Sequence, residues 1–107
     1  MIHVLAQIVV KPGQREKVLE EFLKIVDQVR TEPGCLEYGA AVEIPSGIPV
    51  QVPIRDNVIH VIEKWESLEA LRQHLQATPL QTFLQQAGPS IEQIVASVLK
   101  PVESPVQ

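Results

Sequence analysis

Residues 57–88 constrain the fold more than any other part of the sequence, because they combine a strand, a tryptophan and two helix starts. Dense β-branched residues predict a buried strand that ends on Trp65, the only tryptophan of the chain. Ser67 then offers a helix N-cap, and Thr78 with Pro79 offers a second one. The stretch therefore predicts a strand followed by a helix in two pieces, an arrangement suited to walling a small-molecule cavity.

The apolar patterns of the remaining chain predict three further strands and one further helix. Alternating apolar residues indicate strands, and apolar residues three or four apart indicate a helix with a solvated outer face. In chain order we expect a strand 2–10, a helix 14–31, a strand 35–43, the strand and broken helix of residues 57–88, and a last strand 90–100 whose irregular alternation indicates a bulge. The order β-α-β-β-α-β is a ferredoxin-like split unit, so we predict one α+β domain over residues 1–107.

Residues 44–56 interrupt this pattern as a proline-spaced insertion loop. Pro45, Pro49 and Pro53 exclude a central strand, yet the isoleucines and valines between them are too apolar for a solvated linker. Such a loop must pack, either as a flap over a pocket or against a partner subunit. The segment 101–107 is predicted to be a tail or an arm over a neighbouring subunit.

The first predicted strand is apolar on both faces, which indicates that both faces are covered. Two helices can cover only one face of a small sheet, and 45% of the chain is hydrophobic. The apolar residues that the helices cannot cover predict a subunit interface. We therefore expect a homodimer.

The charge and the cysteine content limit which binding partners and which cellular compartment are expected. The net charge is −4 and the basic residues are not clustered, which argues against a nucleic-acid interface. No apolar run approaches the roughly 20 residues that span a bilayer, and the first residues lack the basic region of a secretion signal. Cys35 is the only cysteine, so an internal disulfide is excluded and a reducing compartment is favoured. We predict a cytoplasmic protein that does not enter the membrane.

Several segments together carry a family resemblance. The segments EKWESLEALRQH and TPLQTF, the opening MIHVLAQIVVKPGQREKVLEEF and the turn EPGCLEY resemble the antibiotic-biosynthesis monooxygenase family, which includes the quinol monooxygenases. The resemblance covers nearly the whole chain except residues 44–56. It implies a dimeric α+β barrel in which the second face of the sheet packs on the partner's sheet.

The resemblance also implies an activity and a pocket. The activity is that of a cofactor-independent monooxygenase that oxidises a quinol or a similar dihydroxy-aromatic with dioxygen. The pocket lies between the sheet and the helices, and its walls by position are Gln7, Tyr38, Trp65, His74 and Phe83. An alternative is a non-catalytic dimeric binding module for a small apolar metabolite, and a third is an isomerase on the same barrel.

His74 and Trp65 are the candidate catalytic residues. The ordinary pKa of an imidazole lies near neutrality, so His74 is suited to act as a base, although a boundary histidine on a helix would show the same pattern. Trp65 is either a flat wall with an indole donor for an aromatic ligand, or a core residue at the sheet edge. Glu63, a substrate-binding candidate, shares the face of Trp65. It is expected either to orient one of these groups or to pair with a cation on a neighbouring strand.

The other substrate-binding candidates divide into an apolar and a polar pair. Leu71 and Phe83 are expected to form a dry wall. Gln7 and Tyr38 are expected to hold the oxygen atoms of the substrate, although Tyr38 could equally be a packing residue.

No cofactor or metal site is predicted. The sequence lacks a phosphate-binding glycine loop, and residues 79–87 contain no histidine where a haem-degrading branch of the family places its ligand; Leu80 stands where relatives often have a histidine. His3 and His60 are expected on adjacent strands but on opposite faces, with His3 beside Gln7. They would then not converge on one metal ion.

Overall fold

The computed structural model of the chain describes residues 1–104. Its elements are β1 (Ile2–Val10), α1 (Arg15–Leu23), α2 (Val26–Arg30), β2 (Cys35–Ala41), β3 (Val58–Trp65), α3 (Leu68–Gln76), α4 (Thr78–Ala87), a single 3₁₀ turn (Gly88–Ser90) and β4 (Ile91–Leu99). The predicted order of strands and helices is confirmed, with each predicted helix divided into two segments. Residues 105–107 of the predicted tail lie outside the described chain.

The four strands form one antiparallel sheet in the order β2-β3-β1-β4. β1 lies in the interior of the sheet, between β3 and β4, as the split unit requires. The pairing of β1 with β4 shifts register between Val9 and Val10, which is the bulge expected from the irregular last strand. The ferredoxin-like α+β fold is thus confirmed.

The helices cover one face of the sheet and leave the other open within residues 1–104. On the covered face Val4 and Ile8 of β1 are buried in a core that includes Phe22 and Val29 of the helices. On the other face Leu5 of β1 is 51% exposed. β1 is therefore apolar on both faces, as its sequence indicates, but this chain covers only one of them.

Gln7 lies on the open face rather than on the face of the helices. It pairs across β1 and β3 with His60, and cross-strand partners share a face. Trp65 is five positions beyond His60 in the same strand, so alternation places it on the covered face. The predictions that Gln7 and Trp65 share a face, and that His60 lies opposite His3 and Gln7, are therefore wrong. The error came from assigning the face of β1 by resemblance, because alternation fixes only which residues share a face.

The first helix ends at Leu23 instead of continuing through the predicted range 14–31. The Ile25 N–H donates to the carbonyl of Phe22, three residues earlier, at 3.0 Å, so the backbone tightens before α2 begins. The predicted apolar stripe is nevertheless buried along both segments, at Val18, Phe22, Ile25 and Val29.

The break in the second helix is confirmed, but only one of its two predicted caps forms. The Ser67 hydroxyl accepts a hydrogen bond from the Ala70 N–H at 3.1 Å and caps α3. At α4 the capping residue is Ala77, whose side chain cannot accept such a bond. Thr78 is therefore the first helical residue rather than the cap.

The insertion loop reaches the open face of the sheet through a polar cluster. The Arg55 guanidinium donates to the Glu43 carboxylate at 2.6 Å and to the Gln7 amide oxygen at 3.4 Å. His60 Nε2 lies 2.8 Å from the same carboxylate. The hydrogen bonds from Arg55 and His60 hold the pKa of Glu43 well below its ordinary value, at about 2.

The apolar side chains of the loop do not contribute to a pocket on the helical side. None of residues 42–57 lines the cavity described below, so the predicted flap over the pocket is wrong. β2 also ends at Ala41, two residues earlier than predicted. The apolar residues of the loop are exposed in this chain, at Ile44, Ile48, Val50, Val52 and Ile54.

Candidate functional site

A cavity of about 240 Å³ lies between the covered face of the sheet and the helices. Two of its lining residues, Glu63 and His74, are polar. The others are apolar and come from β1, β3, β4 and three helices, namely Val4, Ala6, Ile8, Phe22, Val61, Leu71, Leu75, Leu80, Phe83, Leu84, Ile94, Ala96 and Val98. The cavity thus places two ionisable groups in an apolar enclosure, where electrostatic interactions are stronger than in water.

The edge strand β4 forms the accessible side of this cavity. Ile94 and Val98 line it, and both remain about half exposed. Small molecules therefore have an approach along β4 in the described chain, while Phe83 and Leu71 close the inner side as buried residues.

His74 is held in the wall of the cavity by contacts with both ring nitrogens. It lies near the end of α3, and its side chain is only 2% exposed. Nδ1 lies 2.9 Å from Oε1 of Glu32, within hydrogen-bonding distance. Nε2 lies 4.0 Å from Oε1 of Glu63, which is too long for a hydrogen bond but close enough for electrostatic coupling.

Glu63 is a buried carboxyl with one oxygen engaged. Oε1 accepts a hydrogen bond from the Trp65 indole N–H at 2.8 Å. Burial raises the pKa of Glu63, and the indole hydrogen bond and His74 only partly offset this effect.

Two aromatic residues that do not line the cavity pack against His74. The Trp65 ring stacks on the imidazole with centroids 4.7 Å apart and planes 29° apart. Tyr38 meets the imidazole edge-on at 5.2 Å, and burial raises the pKa of its phenol so that it stays neutral. Neither ring lines the cavity. The predictions that Trp65 forms a cavity wall and that Tyr38 holds a substrate oxygen are therefore wrong for this cavity.

The structure brings together four of the seven residues predicted for the site. Glu63, Leu71, His74 and Phe83 line the cavity. Trp65 and Tyr38 lie one layer behind them, and Gln7 lies on the opposite face of the sheet. The roles assigned to the four lining residues stay predictions.

Glu32 is a site residue that the sequence analysis missed. It precedes Pro33 and Gly34 in the turn EPGCLEY, which the sequence analysis used only as part of the family resemblance. Gly34 adopts a φ of 82°, which favours glycine, and the turn places the Glu32 carboxylate against His74. A second, smaller cavity of about 70 Å³ lies here, lined by Glu32, Pro33, Ala70, Gln73, His74 and Ala77. The missed signal was a carboxylate beside a Pro-Gly turn.

Residues 1–104 contain neither a cluster of metal ligands nor a helix that could cross a membrane. No three side chains of histidine, cysteine, aspartate or glutamate in this range are grouped so as to hold a metal ion. None of the helices in the same range is both long enough and apolar enough to cross a bilayer.

Comparison with known proteins places these features in a family. The sequence profile described as "Antibiotic biosynthesis monooxygenase" matches residues 1–86. The curated protein "Probable quinol monooxygenase YgiN" of Escherichia coli K12 is 33% identical over 103 residues, which cover 94% of this chain and 98% of that protein.

Solved structures agree in fold. Rv0793 from Mycobacterium tuberculosis superposes with a TM-score of 0.79 at 18% identity, over 97% of both chains. PA3566 from Pseudomonas aeruginosa superposes with a TM-score of 0.78 at 20% identity, over 95% of this chain and 94% of that one. The profile match and the curated relative decide the assignment: the chain belongs to the antibiotic biosynthesis monooxygenase family.

Proposed function

We propose that this protein is a cofactor-independent monooxygenase that oxidises a quinol or a similar dihydroxy-aromatic with dioxygen. The observation that carries the proposal is the pair formed by His74 and Glu63, which faces an otherwise apolar cavity. The relationship to a protein named as a probable quinol monooxygenase supports the same class of substrate.

His74 is the base in this proposal. Nε2 takes the proton of a substrate hydroxyl, and the resulting electron-rich phenolate transfers one electron to dioxygen. The two radicals combine at a ring carbon that carries a hydrogen, which forms a C–O bond. Loss of that hydrogen as a proton and cleavage of the O–O bond then leave a carbonyl on the ring and release water. One oxygen atom enters the product, the other becomes water, and the substrate supplies all four electrons.

The apolar walls favour this chemistry and limit the substrate. They exclude water from the phenolate and the reduced oxygen species, which would otherwise be solvated or quenched. Among residues 1–104 no lysine or arginine lines the cavity, so a neutral phenol fits better than a carboxylate or phosphate. The volume of about 240 Å³ lies just below the usual range for ligand pockets, roughly 300–1,000 Å³, which favours one or two rings.

A cytoplasmic homodimer is part of the proposal. The open face of the sheet carries apolar residues that remain accessible in the isolated chain, at Leu5, Ile62, Val95 and Leu99. A face of this kind in a small domain fits a self-complementary interface, in which two sheets pack face to face. The insertion loop contacts this face through Arg55 and Gln7, and its exposed apolar residues would extend the interface.

Oxygen consumption tests the activity. The assay uses a panel of dihydroxynaphthalenes and hydroquinones between pH 6 and pH 9, corrected for autoxidation. We expect turnover by the parent, a loss on the order of 10²–10⁴ in rate for His74→Ala, and no loss for Arg72→Ala, an exposed position of the same helix.

Two results would contradict the proposal in different ways. Equal turnover by His74→Ala and the parent across this pH range would show that His74 is not the base. If the parent binds these compounds but never exceeds autoxidation, the chain is instead a non-catalytic binding module.

A further inference from the structure

We propose that Glu32 is the positioning residue for His74: it keeps the ring hydrogen on Nδ1, leaves Nε2 free to take a proton in the main cavity, and passes the Nδ1 proton towards the second cavity. The inference rests on the proposed function for the catalytic use of this proton. The tautomer of His74 can be tested whether or not the protein has the proposed activity.

The contact between Glu32 and His74 selects one tautomer. An ionised carboxylate can only accept a hydrogen bond, so at 2.9 Å from Oε1 the Nδ1 atom must be the donor. A neutral imidazole with its hydrogen on Nδ1 carries its lone pair on Nε2. That nitrogen lies on the side of Glu63 and the main cavity.

The aromatic rings packed around His74 restrict the motion of its imidazole. The side chain is buried, with the Trp65 ring stacked on one side and Tyr38 meeting it edge-on. The titratable groups that face it are Glu32 from the turn before β2, Glu63 from β3 and Tyr38 from β2. The turn therefore supplies the one group bonded to Nδ1, and α4 adds only apolar contacts at the cavity.

The second carboxylate oxygen of Glu32 connects His74 to a place where water can accept a proton. Oε2 is buried and has no hydrogen-bond partner within residues 1–104. Glu32 and His74 both line the second cavity of about 70 Å³, which has room for about two water molecules. His74 lines the main cavity as well. When Nε2 takes the substrate proton, the proton on Nδ1 can pass to Glu32 and the water beside it. Nε2 then gives its proton to the oxygen that leaves as water, and Glu32 returns one to Nδ1, so the ring recovers the Nδ1–H form.

The tautomer is tested by NMR on protein labelled with ¹⁵N-histidine. Long-range ¹H–¹⁵N spectra at about pH 8 distinguish hydrogen on Nδ1 from hydrogen on Nε2, and His74→Ala identifies the signal among the three histidines. We expect the Nδ1–H form in the parent. Glu32→Gln keeps the size but removes the negative charge at Nδ1, and its amide can present either its oxygen or its N–H₂ to the ring. Glu63, 4.0 Å from Nε2, still favours hydrogen on that nitrogen, so we expect the Nε2–H form to dominate. A parent in the Nε2–H form, or an unchanged spectrum in Glu32→Gln, would overturn the inference.

Kinetics test the consequence for the reaction. Glu32→Gln should lower kcat by at least about 10²-fold with little change in KM, because no substrate contact is lost. Glu32→Asp restores a carboxylate, and should recover the Nδ1–H form and part of kcat even if the shorter side chain costs stability. Glu69→Gln, an exposed carboxyl on α3, is the matched control and should behave like the parent.

The outcomes separate this inference from the proposed function. Turnover by the parent with an undiminished kcat in Glu32→Gln would overturn the role of Glu32 and leave the monooxygenase proposal standing. Absence of turnover in the parent would overturn the monooxygenase proposal and the catalytic proton path together, while the NMR result alone would then decide whether Glu32 sets the tautomer.

Discussion

Nδ1 of His74 lies 2.9 Å from Oε1 of Glu32 although 42 positions separate the two residues in the sequence. The contact depends on how closely the turn before β2 approaches α3. The Glu66 N–H donates to the carbonyl of Gly34 at 2.8 Å and fixes this turn beside the end of β3. The site is therefore assembled from the turn before β2, the helix α3 and the strand β3, and not from the strands alone.

The first prediction concerns the pH dependence contributed by Glu63. Burial raises the pKa of its carboxyl above the unfolded value, so the native state binds the extra proton over the range between the two pKa values. This contribution to stability is present at low pH and is lost as pH rises through the native pKa. Glu63→Gln removes the titration and keeps an oxygen for the Trp65 indole. We expect the variant to gain free energy of unfolding relative to the parent between pH 4 and pH 8.

Urea denaturation at several pH values measures this effect. Glu69→Gln, which changes an exposed carboxyl, is the control and should follow the parent. A difference between Glu63→Gln and the parent that does not change with pH would show that Glu63 titrates normally in the native state.

The second prediction concerns the open face of the sheet. Leu5 lies on this face in β1, an interior strand, whereas Leu23 is an exposed leucine of α1 on the helical side. If two sheets pack face to face, Leu5→Lys places a charge in the interface and Leu23→Lys does not. Sedimentation at micromolar concentration should give twice the monomer mass for the parent and Leu23→Lys, and the monomer mass for Leu5→Lys.

A parent protein that sediments at the monomer mass would contradict the proposed homodimer. If both lysine variants dissociate alike, the interface lies elsewhere on the surface.

Local patterns in the sequence predicted the architecture well. The apolar alternation of β1 and the break between Ser67 and Thr78 depend on neighbouring residues alone, and both are found in the structure. The family resemblance implied His74 and Phe83 as walls of the pocket, and helical spacing agrees with it by placing Leu71 and Phe83 on the apolar faces of their segments. These signals are local, so a single sequence carries them.

The errors concern relationships between distant segments. The face of Gln7 depends on the register of β1 against β3, which strand alternation does not give. Trp65 was expected to meet a ligand, but its ring is used in stacking on His74 and its N–H in holding Glu63. Glu32 joins the site only through the approach of its turn to α3. None of these contacts is visible in local spacing.

The third prediction concerns Glu43, near the start of the loop that connects β2 to β3. Arg55 and His60 lower its pKa to about 2, from an ordinary value of 4.5. The native state therefore binds fewer protons than the unfolded state between these values, so the stabilisation is present above the ordinary pKa and is lost as pH falls through the native one. In urea denaturation the parent should have a higher free energy of unfolding than Glu43→Gln at pH 5, and we expect this difference to shrink as the pH falls to 2.5.

Asp56→Asn provides the control for this experiment, since Asp56 is an exposed carboxyl of the same loop. An advantage of the parent that stays constant down to pH 2.5 would show that the ion pair does not depress the pKa of Glu43.

The fourth prediction tests the close approach of the turn to α3 with two glycines. Gly34 and Gly13 have φ of 82° and 76°, so alanine at either costs about 1–2 kcal/mol in backbone strain. At Gly13 an added Cβ meets nothing within 4 Å, whereas at Gly34 it would lie 2.5 Å from the Cβ of Ala70. Gly34→Ala must therefore displace the turn. This overpacking adds a destabilisation of roughly 1–3 kcal/mol and draws Glu32 away from His74.

Urea denaturation should show a larger loss of unfolding free energy for Gly34→Ala than for Gly13→Ala, and NMR should show a change of the His74 tautomer in Gly34→Ala alone. Equal losses with an unchanged His74 signal would mean that the turn does not depend on this contact to hold Glu32 in place.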